Sequence, residues 1–265
     1  MQNILNALPV LTTLSVDIGF VFALQQESVG VLDRMKHVRT TCGDGWTFHT
    51  GKIEHKTAAL VLSGVGQKKA EEAAQVLLDV FAPKIICSAG FAGGLTDRLK
   101  RSKICVPEQV VRESDGQVLN LSNLIPTKTE PKQNMLTLIT VNEVAASPKQ
   151  KRNLYGRTGA ELVDMETFAV AEVCRAREIP FRSFRVILDA VDDRIPKDIA
   201  KILDNVGKGV PHFSGILLGS FFSRPSVVID LVSLKRRAFT AAERLAQFTV
   251  AELLQQRKIK SLRNR

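Results

Sequence analysis

The feature that most constrains the fold is a short apolar run, Phe184 with Val186, Ile187 and Leu188, interrupted only by Arg185 and closed by Asp189. A run of this length with β-branched members and no polar alternation suits a strand covered on both faces, as in a parallel sheet. The stretch before it supplies a covering element. Phe168, Ala169, Val173 and Cys174 recur at helical spacing, with Glu172, Arg175 and Arg177 on the other faces. Pro180 prevents that helix from continuing. Residues 160–193 therefore read as helix, turn and buried strand, with Glu166 opening the helix and Asp189 just past the strand. In open α/β sheets ligands bind beyond the carboxyl ends of strands, which puts Asp189 where chemistry is usually done. Each carboxylate also has a plain structural reading, Asp189 as a turn former and Glu166 as a favourable charge at the positive end of the helix dipole.

The rest of the chain repeats the theme. Residues 17–24 read as a first strand that delivers Glu27 to a loop, followed by an amphipathic stretch to Met35. Residues 46–52 and 57–62 read as a hairpin-like pair of strands, preceded by a turn at Cys42-Gly-Asp-Gly. Ser63-Gly-Val-Gly-Gln then precedes a helix over 68–81, whose Ala70, Ala73, Ala74, Leu77 and Leu78 share one face. Backbone N–H groups at such a helix start can receive an oxyanion. A strand at 85–88 leads into Ala89-Gly-Phe-Ala-Gly-Gly-Leu95, a glycine-rich turn that lets backbone approach a ligand closely. It carries neither the Walker nor the Rossmann fingerprint, so nucleoside triphosphates and dinucleotides are not expected. Strands at 104–111 and 135–141 follow, separated by a polar turn at 112–117. Ser147 and Pro148 then mark the start of a further helix. The alternation predicts an α/β fold of three layers, α/β/α, around a central mixed, largely parallel sheet.

Length and composition fit one large domain with a sizeable core, at 265 residues and 45% hydrophobic. The net charge of +10 does not mark a nucleic-acid binder, because residues 235–265 hold nine Lys/Arg against two Glu and leave the body mildly basic. Without interleaved aromatics there is no platform for bases. No apolar stretch reaches the length of a membrane span, and residues 1–16 lack the basic start and cleavage site of a signal peptide, so they read as a leader. Cys42, Cys87, Cys105 and Cys174 are dispersed without ligand spacing, as expected in a reducing cytoplasm, and the four histidines make no ligand pair, so neither metal nor cofactor is expected. Leu231, Leu234, Ala238, Ala242, Leu245, Phe248 and Leu253 recur at helical spacing, which divides the chain into a leader (1–16), a catalytic domain (17–226) and a helical extension with a basic tail (227–265).

Six segments together resemble the nucleoside phosphorylase superfamily, and within it the 5′-methylthioadenosine/S-adenosylhomocysteine nucleosidases. They are IGFVFALQQE (18–27), SGVGQKKA (63–70), SAGFAGGL (88–95), ASPKQK (146–151), VDMETFAVAEVC (163–174) and FRVILDAVDD (184–193). The GFAGGL spelling also resembles the hopanoid-associated nucleoside phosphorylase branch. The chain departs from the nucleosidase pattern at Phe91 and Leu188, where the family usually carries Ser, and near Val144 and Ala145, where an aromatic usually stacks on adenine.

The resemblance implies hydrolysis of the N-glycosidic bond of an adenine nucleoside. Such cleavage develops an oxocarbenium-like sugar and negative charge on the departing purine, which calls for an acid at the base and a carboxylate near the water. By resemblance Asp189 is the acid, Glu27 orients and deprotonates the water, Arg185 lines the water site, Glu166 binds the ribose hydroxyls and Met165 packs on the sugar. Gly90, Phe91, Ala92 and Val144 are the further substrate contacts that it implies. It also implies a homodimer, for which the apolar stretch 119–126 suits a partner-facing loop. Phosphorolysis and catalytically silent nucleoside binding are the alternatives.

Overall fold

Runs without polar alternation meet at the centre of one sheet, in a computed structural model that describes residues 15–43, 45–125, 135–196 and 236–254. The strand Ile18–Phe22 (β1) lies between Lys56–Leu62 (β4) and Ile86–Gly94 (β5), parallel to both. The strand Phe181–Asp189 (β11) runs parallel to β5 from Phe181 opposite Ile86 to Asp189 opposite Gly93. Both faces are covered. Ile18, Phe20 and Phe22 of β1 pack with Val31 and with Ala241 and Leu245, whereas Val21 points the other way, into a cluster with Ala73, Leu77, Phe168 and Val170. The covering elements are the helices Gln25–Leu32 (α1) and 236–254 (α5) on one face, and Gln67–Phe81 (α2) and Thr167–Ala176 (α4) on the other. The three layers follow from that alternation.

Parallel and antiparallel pairs both occur, so the sheet is mixed. Lys36–Gly43 (β2) and Trp46–Ile53 (β3) extend it beyond β4 as an antiparallel meander. On the far side Leu162–Asp164 (β10) pairs antiparallel with the end of β5 and parallel with Thr137–Thr140 (β9), which leads to Gln109–Arg112 (β7) and Val118–Asn120 (β8).

Several boundaries differ from the sequence expectation. β2 is an edge strand with an exposed, polar sequence and therefore no hydrophobic period, and it absorbs Cys42 and Gly43, leaving the turn near Gly45 with its φ of 83°. The strand expected over 104–111 is two, Ile104–Cys105 (β6) and β7, with Pro107, which has no N–H to donate, between them. The glycine-rich segment expected to turn at 89–95 instead continues β5 through Gly94. Glu27 sits in the first turn of α1 rather than in a loop. In the apolar stretch near 119–126, Leu119 and Leu121 are buried in the chain's own core, whereas Leu124 and Ile125 are half-buried; Pro126 lies outside the described residues.

The described part of the extension, α5, packs on the body. Phe248 of α5 meets Phe184 edge to face at 5.7 Å, and a β-carbon on Gly30 would be 2.7 Å from the Ala246 side chain, so α1 and α5 touch at backbone distance. Residues 1–14 of the leader, the boundary at 226/227, Leu231, Leu234 and the basic tail beyond 254 fall outside the described residues, whereas Val16, at the end of the leader, is buried in the core. Among the described residues no helix is long and apolar enough to cross a membrane.

Candidate active site

The carboxyl ends of β1, β5 and β11 open into a pocket of about 140 Å³. Its walls are mostly apolar, with Glu27, Asp164, Glu166 and Asp189 as acidic groups. Of the residues singled out in the sequence, Met165, Phe91, Ala92 and Val144 line the same pocket. Gly90 and Arg185 do not. They line a recess of about 10 Å³ behind it, which Glu27 and Glu166 also border.

Asp189 owes its aim to an irregularity. The register between β5 and β11 slips between Ile187 and Asp189, so Leu188 is passed over and Asp189 stands opposite Gly93. A bulge at a strand end re-aims the side chain that follows it. A β-carbon on Gly93 would be 3.2 Å from Asp189 Oδ2, a tight approach that glycine leaves open. Burial pushes the Asp189 carboxyl above the ordinary carboxylate range, and the cation of Lys151 pulls the other way.

Glu27 is 4% exposed and is held by backbone alone. Its Oε2 accepts the N–H groups of Ala23 at 3.0 Å and Leu24 at 2.9 Å, and its Oε1 accepts that of Phe91 at 2.7 Å. Two of these donors come from the turn before α1, whose free N–H groups favour a carboxylate in the first helical turn. Burial raises the Glu27 carboxyl from its ordinary value, and the N–H donors and the charge of Arg185 oppose the rise.

Glu166 precedes α4, and its Oε1 takes the N–H of Gly66 at 2.8 Å. The N–H that the Ser63-Gly-Val-Gly-Gln turn offers at Gly66 is thus taken by one of the chain's own carboxyl groups. Burial, reinforced by the charge of Asp164, pushes Glu166 up to about 8.

Arg185 is buried and engaged rather than open to the pocket. Its Nε and Nη2 donate to Asp164 Oδ2 at 3.1 and 3.0 Å, and Nη2 also reaches Ser88 Oγ and Thr167 Oγ1, each at 2.7 Å. Asp164 in turn accepts Thr140 Oγ1 at 2.8 Å and the Thr167 N–H at 3.0 Å. A buried ion pair survives when its remaining donors and acceptors are satisfied, as they are here.

Asp164 and Lys151 were not singled out as site residues by sequence reasoning. Asp164 lies within the VDMETF segment, but nothing local distinguishes it from a strand-end turn former. Lys151 sits in a polar helix, Pro148–Thr158 (α3), and is fully buried, with Nζ ion-paired to Asp189 Oδ2. Its one local signal is its place on the same face as buried Leu154, three residues on. Among the described residues no three His, Cys, Asp or Glu are grouped as metal ligands.

A family model described as the phosphorylase superfamily matches residues 17–136 and 136–221. The chain is 23% identical over 214 residues to the 5′-methylthioadenosine/S-adenosylhomocysteine nucleosidase of Oceanobacillus iheyensis, covering 72% of this chain and 93% of that one. It is 29% identical over 198 residues to the protein of the same name from Buchnera aphidicola subsp. Baizongia pistaciae, covering 66% and 79%. Among solved structures its fold is similar to that of futalosine hydrolase of Helicobacter pylori, with a TM-score of 0.64 at 17% identity over 92% of this chain and 98% of the other.

Proposed function

The chain belongs to the phosphorylase superfamily, and from that premise we propose that it hydrolyses the N-glycosidic bond of an adenine nucleoside, 5′-methylthioadenosine, S-adenosylhomocysteine or a related 5′-substituted adenosine, releasing adenine. Relatives named as such nucleosidases support the substrate class. The observation that carries the choice of water over phosphate is the seat of Glu27. The N–H groups of Ala23, Leu24 and Phe91, which could cradle an oxyanion, are already taken by its carboxylate, and that of Gly66 is taken by Glu166. Arg185 is committed to Asp164. A phosphate entering this end of the pocket would find these donors already occupied by the chain's own carboxyl groups.

In this reading the sugar lies over Glu166 and Met165, and the purine lies towards Asp189 between apolar walls that include Phe91, Val144 and Leu188. Asp189, raised by burial, supplies a proton as negative charge grows on the departing base. Glu27, fixed at three points, orients a water and takes its proton as the oxocarbenium carbon is attacked. The recess shared by Glu27, Glu166 and Arg185 has about the volume that one water needs. The catalytic unit is residues 17–226, and the segment 227–265 braces it through α5. The reading includes a homodimer in the cytoplasm; a monomer in sedimentation at micromolar concentration would count against the dimer.

The test is adenine release from 5′-methylthioadenosine with and without phosphate. Equal rates in both are expected, and a strict phosphate requirement would overturn hydrolysis in favour of phosphorolysis. Tight adenosine binding with no turnover would make the chain a binding protein.

A further inference from the structure

Lys151 is fully buried, and each of its ammonium contacts leads to the strand end that carries Asp189. Nζ is ion-paired with Asp189 Oδ2 and donates to the carbonyls of Ala190 at 2.7 Å and Asp193 at 3.0 Å. Two hydrogen bonds to carbonyls and one ion pair thus hold the ammonium group. Asp189 Oδ2 is buried and takes no aligned hydrogen bond, so the cation of Lys151 is what compensates its charge there. Lys151 does not line the pocket. A lysine is almost never fully buried unless paired, and leaving such a charge without its partner is costly. The pairing therefore binds α3, which starts just after the pocket residues Val144 and Ala145, to the turn after β11.

We propose that Lys151 is a positioning residue for the reaction: its buried ammonium fixes the Asp189 carboxyl and the turn behind it in the orientation that hands a proton to the leaving base. This rests on the nucleosidase reading of the pocket. The charged groups that face Asp189 are few. Lys151 on α3 and Arg101, in the segment after β5, favour its charged form, whereas burial and Asp193 on its own turn favour the neutral one. Arg101 is itself bonded through Nε to Asp193 Oδ2 at 2.5 Å, which leaves Lys151 as the cation paired with Asp189 directly. Taking that cation away must raise the pH at which Asp189 loses its proton, because burial and Asp193 are then opposed by Arg101 alone.

The experiment compares wild type with Lys151→Gln and Lys151→Met, with folding checked by thermal melting. Gln keeps polar contacts without charge, and Met keeps the length and apolar stem. Adenine release is followed against pH, and the Asp189 carboxyl is followed by carbon NMR of aspartate-labelled protein, with Asp189→Asn assigning its signal. In the variants we expect the Asp189 titration, and with it the alkaline limb of kcat, to move upward by about one pH unit or more. We also expect kcat to fall roughly tenfold or more while KM changes little, since a stronger hold on the proton makes a weaker acid. An unshifted titration and alkaline limb in folded variants, or a loss confined to KM, overturns the role of Lys151 while leaving hydrolysis standing. Wild type that releases no adenine overturns the nucleosidase reading, and the positioning role with it.

Discussion

A β-carbon placed on Gly90 would stand 2.7 Å from Oε1 of Glu27 and 3.1 Å from its Cδ. Space, not backbone strain, makes glycine necessary here, because Gly90 is not among the residues at positive φ. The carboxylate cannot retreat, since its two oxygens are held by N–H groups from opposite directions along the chain, at residues 23–24 and at 91. Gly90→Ala is therefore expected to push Glu27 off the Phe91 N–H. A general base contributes roughly 10²–10⁴-fold, so adenine release should fall by about 10²-fold or more. Near-normal turnover in folded Gly90→Ala would show that the position of Glu27 does not matter.

Asp189→Asn should remove the acid and nearly abolish turnover, a loss of about 10²–10⁴-fold in kcat, while adenosine binding survives. It should also melt at lower temperature than wild type, because the buried ammonium of Lys151 loses its counter-charge. Isothermal titration with an adenine nucleoside and a thermal scan of the same sample check both halves. Normal activity in that variant would reduce Asp189 to a turn former.

Glu27→Gln leaves the acid in place and removes the base. Turnover should fall by about 10²–10⁴-fold with KM little changed. The test against a purely structural role is the melting temperature. An amide can keep the shape of the side chain but offers one acceptor oxygen to donors that now reach two, so a modest drop is expected beside the large kinetic loss. A kinetic loss no larger than the drop in folded fraction would remove Glu27 from the mechanism.

Glu166 couples the site to stability. Its folded value of about 8 lies above the ordinary 4.5, so the folded state holds a proton that the unfolded state releases over that window. The associated stability is full below about 4.5 and is lost as pH rises through about 8. Melting temperature should therefore decline across this interval, and Glu166→Gln, which never ionises, should flatten the decline. A pH profile of melting identical in the two proteins would show that Glu166 titrates normally.

Asp164→Ala should be the most destabilising of these changes, by about 3–5 kcal/mol, because it strands the Arg185 guanidinium in the core. Urea unfolding measures it. A loss below about 1 kcal/mol would mean that Arg185 finds another partner.

Local pattern was enough for the elements whose buried faces repeat. The apolar run ending at Leu188, the Ala and Leu face of α2 and the Ser147-Pro148 start of α3 each carry their own periodicity or cap, and each folds as that pattern dictates. The six motif segments carried enough together to indicate the superfamily. Edge strand β2 escaped because an exposed strand has no hydrophobic period and is defined by its neighbour β3. The glycines at 90, 93 and 94 read locally as a turn. They continue a strand because β11 pairs along it as far as Gly93 and β10 pairs with Gly93 and Gly94, and at Gly90 and Gly93 the missing β-carbons leave room for Glu27 and Asp189. Only the tertiary structure decided which charges face each other. Lys151 and Asp189 are 38 positions apart, and Arg185 and Asp164 are 21 apart, so no local spacing encodes either pair. Sequence determined which buried strands form and which carboxylates lie near them; the bulge, the crossing of α3 and the burial of one lysine and one arginine determined how those carboxylates hold their protons, because ionisation depends on distance and desolvation, which exist only once the chain has packed.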